Sequence, residues 1–221
     1  MYKNNCKTVF NDNATQIMIN EIQDSVDKYK RNKKKSTINR VFNASQLENR
    51  NNIMLFWKAA YKNKNLEYYN LITHFVYRTN MNIEGIKRQL RKANRDLAHV
   101  SRILIGTEKT NQLIRLLTER DDIVYNYLSA VGSNNETQMA YYLNKLRQNN
   151  EELPTFFINL NGKNTDLREL FREQENNFMR AIAFAKARNQ EAYYKNYSTV
   201  WNPLSEKISD KAVSNVFSST Q

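Results

Sequence analysis

From Phe56 to Ile208 apolar side chains return every three or four positions, and in 221 residues only 4 Gly and 2 Pro are available to interrupt them. A sandwich or barrel of many strands needs tight turns, and tight turns draw heavily on those two residues, whereas long helices need few of either. A spacing of three to four is also the period of a helix face rather than of a strand. The chain is therefore expected to be all-α.

The apolar stripes come in pairs separated by short polar segments. Leu167, Leu170, Phe171, Phe178, Ile182 and Ala185 share one face, KARNQE follows, and Tyr193, Tyr197, Val200, Trp201, Leu204 and Ile208 form the next. Leu113, Leu116, Leu117, Val124, Tyr127 and Leu128 precede GSNNETQ, after which Tyr142, Leu146, Leu153 and Phe156 continue. Phe56, Ala59 and Ala60 precede KNKN, with Leu66, Tyr69, Ile72, Val76 and Ile83 beyond it. Each polar segment reads as a hinge that ends one helix and caps the next. The segment NGKNT at 161–165 reads as a loop between hairpins. The expected architecture is a closed bundle of about three helical hairpins over residues 51–221, preceded by a basic N-terminal arm with one helix over residues 1–50.

A Tyr-Tyr pair follows each hinge: Tyr68–Tyr69, Tyr141–Tyr142 and Tyr193–Tyr194. Successive helical side chains point about 100° apart, so each pair should place one ring in the core and the other at its boundary with a wet or hydrogen-bonded hydroxyl. A base-stacking role is disfavoured, because stacking platforms work beside cations and two of the pairs lie in a neutral stretch.

Charge is distributed unevenly. Residues 110–221 hold 13 Lys/Arg and 13 Asp/Glu, which leaves the entire net charge of +12 in residues 1–109 and makes 110–221 a neutral two-hairpin half. Two clusters stand out. In KYKRNKKKSTINR, Lys28, Lys30, Arg31, Lys33, Lys34, Lys35 and Arg40 meet no acid, a self-repelling block expected to be extended and solvated. In IKRQLRKANRDLAHVSRIL, Ile86, Leu90, Ala93, Leu97, Val100 and Leu104 mark one helix face while Arg88, Arg91, Arg95 and Arg102 mark another. Both clusters suit an anionic partner, nucleic acid or anionic lipid, and no zinc-finger spacing, basic zipper or aromatic RNA-binding motif points to sequence-specific readout.

Catalytic, cofactor and metal motifs are not found. A dimetal bundle needs Glu-x-x-His on two helices, and the nearest approach is a lone Asp96-x-x-His99. His74 sits beside Ile72 and Val76 and reads as a partly buried, hydrogen-bonded side chain. Cys6 has no neighbouring histidine to activate it. Asp121 and Asp122 diverge by about 100° on a helix and, following Arg120, read as an exposed edge. The first thirty residues lack the apolar run of a signal peptide, no stretch approaches a membrane span, and a single cysteine fits a reducing compartment. An intracellular, cytoplasmic protein is expected, with Asn-x-Ser/Thr triplets at Asn13, Asn43, Asn135 and Asn196 arising from asparagine abundance rather than glycosylation.

NQLIRLLTERDDIVYNYLSAV and the stretch TDLRELFREQENNFMRAIAFAKARNQEAYYKNYSTVWNPLSEKI together resemble, over roughly residues 90–221, a family of small bacterial helical proteins built from two similar hairpins and lacking an assigned activity. In that family the first helix of each hairpin carries a Glu-His pair; here the matching positions are Glu119-Arg120 and Glu173-Gln174, so the chemistry those histidines would support is not implied for this chain. The composition also resembles virion proteins of AT-rich large DNA viruses. The resulting expectation is a non-enzymatic structural or adaptor protein, such as a minor capsid or virion-associated component. It would dock on protein partners with its basic half toward an anionic surface, the alternative being a sequence-nonspecific nucleic-acid-binding protein.

Overall fold

The computed structural model describes residues 39–161 and 166–218, with side chains described at 51–102, 104–160 and 166–215. All regular elements among the described residues are helical: α1 (Asn39–Tyr77), α2 (Ile83–Gly132), α3 (Glu136–Asn161), α4 (Leu167–Lys186), α5 (Gln190–Asn196), a π-helical turn (Tyr197–Trp201) and α6 (Asn202–Ser218). The chain divides into two compact units, 1–53 and 54–221, and the packing described below lies within the second.

Contacts between helices fix an up-and-down order. Trp57 donates to Ser101 at 3.3 Å and Lys64 to Asn94 at 2.9 Å, so partner numbers fall along α2 as they rise along α1, and the two run antiparallel about the connection at 78–82. Within α2, Gly106 has φ 78° and ψ 174° and separates two limbs, 83–105 and 107–132. Asn94 reaches Asp121 at 2.7 Å and Lys87 lies 4.2 Å over the Tyr125 ring, which makes the limbs themselves antiparallel. The reversal needs a positive φ that a Cβ strains, and Gly106 is one of the few glycines in the chain. The second limb returns against α3 through Arg120 and Asn149, α3 against α4 through Glu151 and Arg172, and α6 lies antiparallel to α1 through the ion pairs Lys58–Asp210 and Lys62–Glu206.

Asparagine builds the connections. Asn82, Asn135 and Asn189 each accept a backbone N–H three residues ahead with the side-chain oxygen, at 2.9, 3.1 and 3.0 Å. This satisfies a donor that the first helical turn leaves unpaired. Asn134 and Arg188 adopt φ of 54° and 58° just past the ends of α2 and α4, and the following amides bond back to Ala130 and Phe184, closing both helices with a left-handed residue.

The hinges at GSNNETQ and KARNQE are thus present as expected, and NGKNT lies largely outside the described residues. KNKN is not a hinge. Residues 62–65 lie inside α1, because Lys64 and Asn65 occupy the buried stripe formed by Trp57, Tyr61, Tyr68 and Leu71 and their polar ends are fully engaged there. The first hairpin instead turns at 78–82, and a further one turns at Gly106, in a stretch where no polar hinge was visible.

The tyrosine pairs are not equivalent either. Tyr68 and Tyr69 are both buried; Tyr193 is buried while Tyr194 is 63% exposed; Tyr141 is exposed and Tyr142 half-buried. Only the third pair follows the one-in, one-out expectation. Tyr69 is the hub where first and third meet, with ring centroids 4.9 Å from Tyr193, 4.6 Å from Tyr197 and 5.4 Å from Trp201, and with its hydroxyl on Asn196. The π-helical turn beneath it has a local cause. Pro203 has no N–H for the carbonyl four residues back, and its ring crowds that carbonyl, so the backbone widens over 197–201.

Phe178, 3% exposed, lies 6.0 Å from the Trp201 ring and 6.2 Å from the Tyr127 ring. Phe178→Asp removes that packing and buries an unpaired carboxylate, so a loss exceeding about 3 kcal/mol is expected; unchanged helix content and melting would count against the packing described. Alkali tests the same core. Burial raises the phenols of Tyr61, Tyr68, Tyr69, Tyr127 and Tyr193 above their ordinary value, so their contribution is complete below pH about 10 and is lost as pH climbs toward the folded values. Lys64, lowered by burial, acts in the opposite sense but alone. Phenolate absorbance and helix loss are expected in one cooperative alkaline step; phenols ionising near the ordinary value with helices intact would contradict it.

Candidate functional site

Two arrangements of polar side chains need explanation, one on the surface and one inside. The surface one is the first limb of α2. Ile86, Leu90, Ala93, Leu97 and Val100 are buried on one face, and Arg88, Arg91, Arg95 and Arg102 are all exposed on the opposite face. At about 1.5 Å per residue the row extends roughly 21 Å. None of its four guanidinium groups forms an ion pair among the described residues. The nearby acids are occupied to either side, Glu84 with Lys87 at 3.6 Å and Asp96 with Lys92 at 3.2 Å. Ala98 and the exposed His99 fill the gap between Arg95 and Arg102. Of the other cluster, Lys28, Lys30, Arg31, Lys33, Lys34 and Lys35 lie outside the described residues, as does Cys6; Arg40 falls in the first turn of α1.

The interior arrangement was not visible in the sequence. Lys64, 1% exposed, spends all three ammonium donors, on Asp121, on Asn94 at 2.9 Å and on the Leu117 carbonyl at 3.3 Å. Asp121 also accepts from the Tyr68 hydroxyl at 2.6 Å and from Asn94 at 2.7 Å, closing a ring of three side chains. Desolvation lowers the lysine pKa, and the adjacent carboxylate opposes that shift. Arg120, 4% exposed, donates to Asn149 at 3.2 Å, to Asn150 and to Gln174 at 3.2 Å, with Phe171 against its guanidinium at 5.5 Å. Gln174 carries the network back to α1 by accepting from Tyr61 and donating to Asn65. Asn150 extends it to Glu175 at 2.6 Å.

Of the exposed edge expected at Asp121 and Asp122, only Asp122 is exposed, whereas Arg120 and Asp121 are buried. They diverge as adjacent helical residues must, but the second limb of α2 is flanked on several sides, so one points at α1 and the other at α3 and α4. Asp122 is exposed, and burial first and Asp121 second raise its carboxyl pKa, against the cations Lys87, Lys64 and Arg91. It lines an open groove of about 730 Å³ between α2 and α3, with Arg115, Glu119, Tyr141 and Lys145. His74 is half-buried, 4.9 Å from the Phe75 ring, and its Nδ1 has no hydrogen-bond partner among the described residues, unlike the hydrogen-bonded histidine expected. Among the described residues no three His, Cys, Asp or Glu side chains group as metal ligands, and no helix is long and apolar enough to cross a membrane.

Lys64, Arg120 and Asp121 are buried and spend their polar groups on one another's neighbours, an arrangement that is cohesive, and removal of one partner is its test. Lys64→Met leaves Asp121 buried without its cation and is expected to cost about 3–5 kcal/mol in urea unfolding, whereas Lys64→Met with Asp121→Leu recovers most of that loss. Equal stability of the single and double variants would show that the pair is not coupled.

No family model, no curated protein and no solved structure matches this chain.

Proposed function

We propose that this protein is a non-enzymatic helical structural or adaptor component of a larger assembly. It docks on protein partners while its basic half meets an anionic surface, in the manner of a minor capsid or virion-associated protein. The observation that carries this reading is the α2 arginine row. Its helix is fixed by the buried face opposite, so the four exposed guanidinium groups are not required for packing. Elsewhere ion pairs such as Lys58–Asp210, Lys211–Asp166 and Arg172–Glu151 join one part of the bundle to another; the row forms no such pair among the described residues. Four like charges on one line repel one another, a cost that a partner of opposite charge offsets. The cations of residues 28–40, with no acid among them, take the same role in this reading.

Removal of residues 1–40 takes away nine cations and four acids and lowers the net charge from +12 to +7. The truncated protein is expected to keep the bundle's helix content and melting but to lose most of its attachment to the native assembly, followed by sedimentation of extracts from the source cells. A full-length protein that sediments as a partner-free monomer would overturn the proposal, as would a truncated one that assembles normally.

A further inference from the structure

Resting on that reading, we infer that the anionic surface met by the α2 row is the phosphate backbone of double-stranded nucleic acid, contacted by Arg88, Arg91, Arg95 and Arg102 without regard to sequence.

The row is made entirely of arginine. Guanidinium presents a planar fork that matches two phosphate oxygens at once, which a lysine ammonium does not. The row is also straight and about as long as several phosphate steps, since duplex DNA presents a charge every ~1.7 Å of its axis against a row of roughly 21 Å. Long arginine side chains accommodate any register along that backbone, and the exposed amide of the limb, Gln89, stands about 100° round the helix from Arg88 and so off the row, where it cannot read base edges beside it.

Two rival surfaces fit less well. A helix that lies on lipid inserts an apolar face beside its cations. Here the apolar face of the limb is consumed by the bundle at Ile86, Leu90, Ala93, Leu97 and Val100, and among the described side chains the large apolar ones that remain exposed, Leu55, Tyr141 and Tyr194, are all on other helices. A single strand is held by aromatic rings on which its bases stack, beside a cationic track. The limb carries no Phe, Tyr or Trp between Ile83 and Ile105, and its one ring is that of His99, too few for a stacking track. What remains is a purely cationic edge suited to a partner whose bases are already stacked and whose charge lies outside.

The test uses the full-length chain and fluorescence anisotropy with three probes: a short random-sequence duplex, one of its single strands, and vesicles of phosphatidylserine in phosphatidylcholine. Arg88, Arg91, Arg95 and Arg102→Gln is compared with a variant that loses the same charge elsewhere, Arg180, Lys186, Lys195 and Lys207→Gln, all exposed. Both should retain the parent's helix content. The parent is expected to prefer the duplex. The row variant should bind it roughly tenfold or more weakly at low salt, with a log–log salt slope shallower by about 3.6, the value for four phosphate contacts. The comparison variant should stay close to the parent. Equal losses in the two variants would overturn the inference, because charge alone would then explain binding. Tighter binding to the single strand or to vesicles would replace the duplex with that partner and leave the adaptor proposal standing. Failure to bind any of the three at low salt would remove the inference and the anionic-surface part of the proposal together.

Discussion

The bundle turns on the burial of two cations, Lys64 and Arg120, that have no route to water. A buried lysine with one donor unmatched would cost more than its neighbours could return, so its position demands three acceptors at defined places. Asp121, Asn94 and the Leu117 carbonyl come from both limbs of α2, which can supply them together only if Gly106 folds the limbs side by side. Arg120 makes the same demand of α3 and α4 through Asn149, Asn150 and Gln174. Four helices are thus held in register by hydrogen bonds whose loss leaves charge stranded. A shift of one turn costs an apolar core its packing; here the same shift would also strand buried charge.

That constraint explains which parts of the fold could be read from the sequence. Helical class, the turns at 132–138 and 186–191, and the amphipathic basic limb follow from local signals: a 3.6-residue period, asparagine caps, and polar breaks in apolar stripes. KNKN carried the same local signal and meant the opposite, because the groups that satisfy Lys64 lie 30, 53 and 57 positions away and leave no trace in the surrounding window. The usable clue was periodic. Trp57, Tyr61, Lys64, Tyr68 and Leu71 are spaced by three and four, so the lysine stands on the apolar stripe and not beside it. Gly106 was legible only in retrospect, as a glycine at the end of one amphipathic run and ahead of the next. The burial of Arg120 and Asp121 was not legible at all, since it depends on how many helices surround the second limb.

The surface row was the reverse case. Arg88, Arg91, Arg95 and Arg102 could be placed on one face from spacing alone, and the structure sets them there, exposed and without an ion pair among the described residues. What the sequence lacked was the state of the opposite face. The full burial of Ile86, Leu90, Leu97 and Val100 turns a basic amphipathic helix, which by itself could equally lie on lipid, into a cationic edge of a protein bundle whose apolar face is covered at those positions.

Stability and recognition are therefore drawn from the same residue types in different surroundings. Inside, arginine and lysine meet uncharged amides and a single carboxylate, and their charge is confined by hydrogen bonds within the bundle. Outside, the row meets water and counterions, where each isolated pairing would contribute little and only a polyanion that engages several at once gains appreciably, through release of its own condensed ions. The connection between the two is mechanical. Asn94, on the first limb, belongs to the interior ring with Lys64 and Asp121, and its neighbour Arg95 belongs to the row. The ring that fixes the limb's rotation in the bundle also fixes which way the arginines face, so a change that loosens the buried network should blur the row as a single surface even where every arginine is retained.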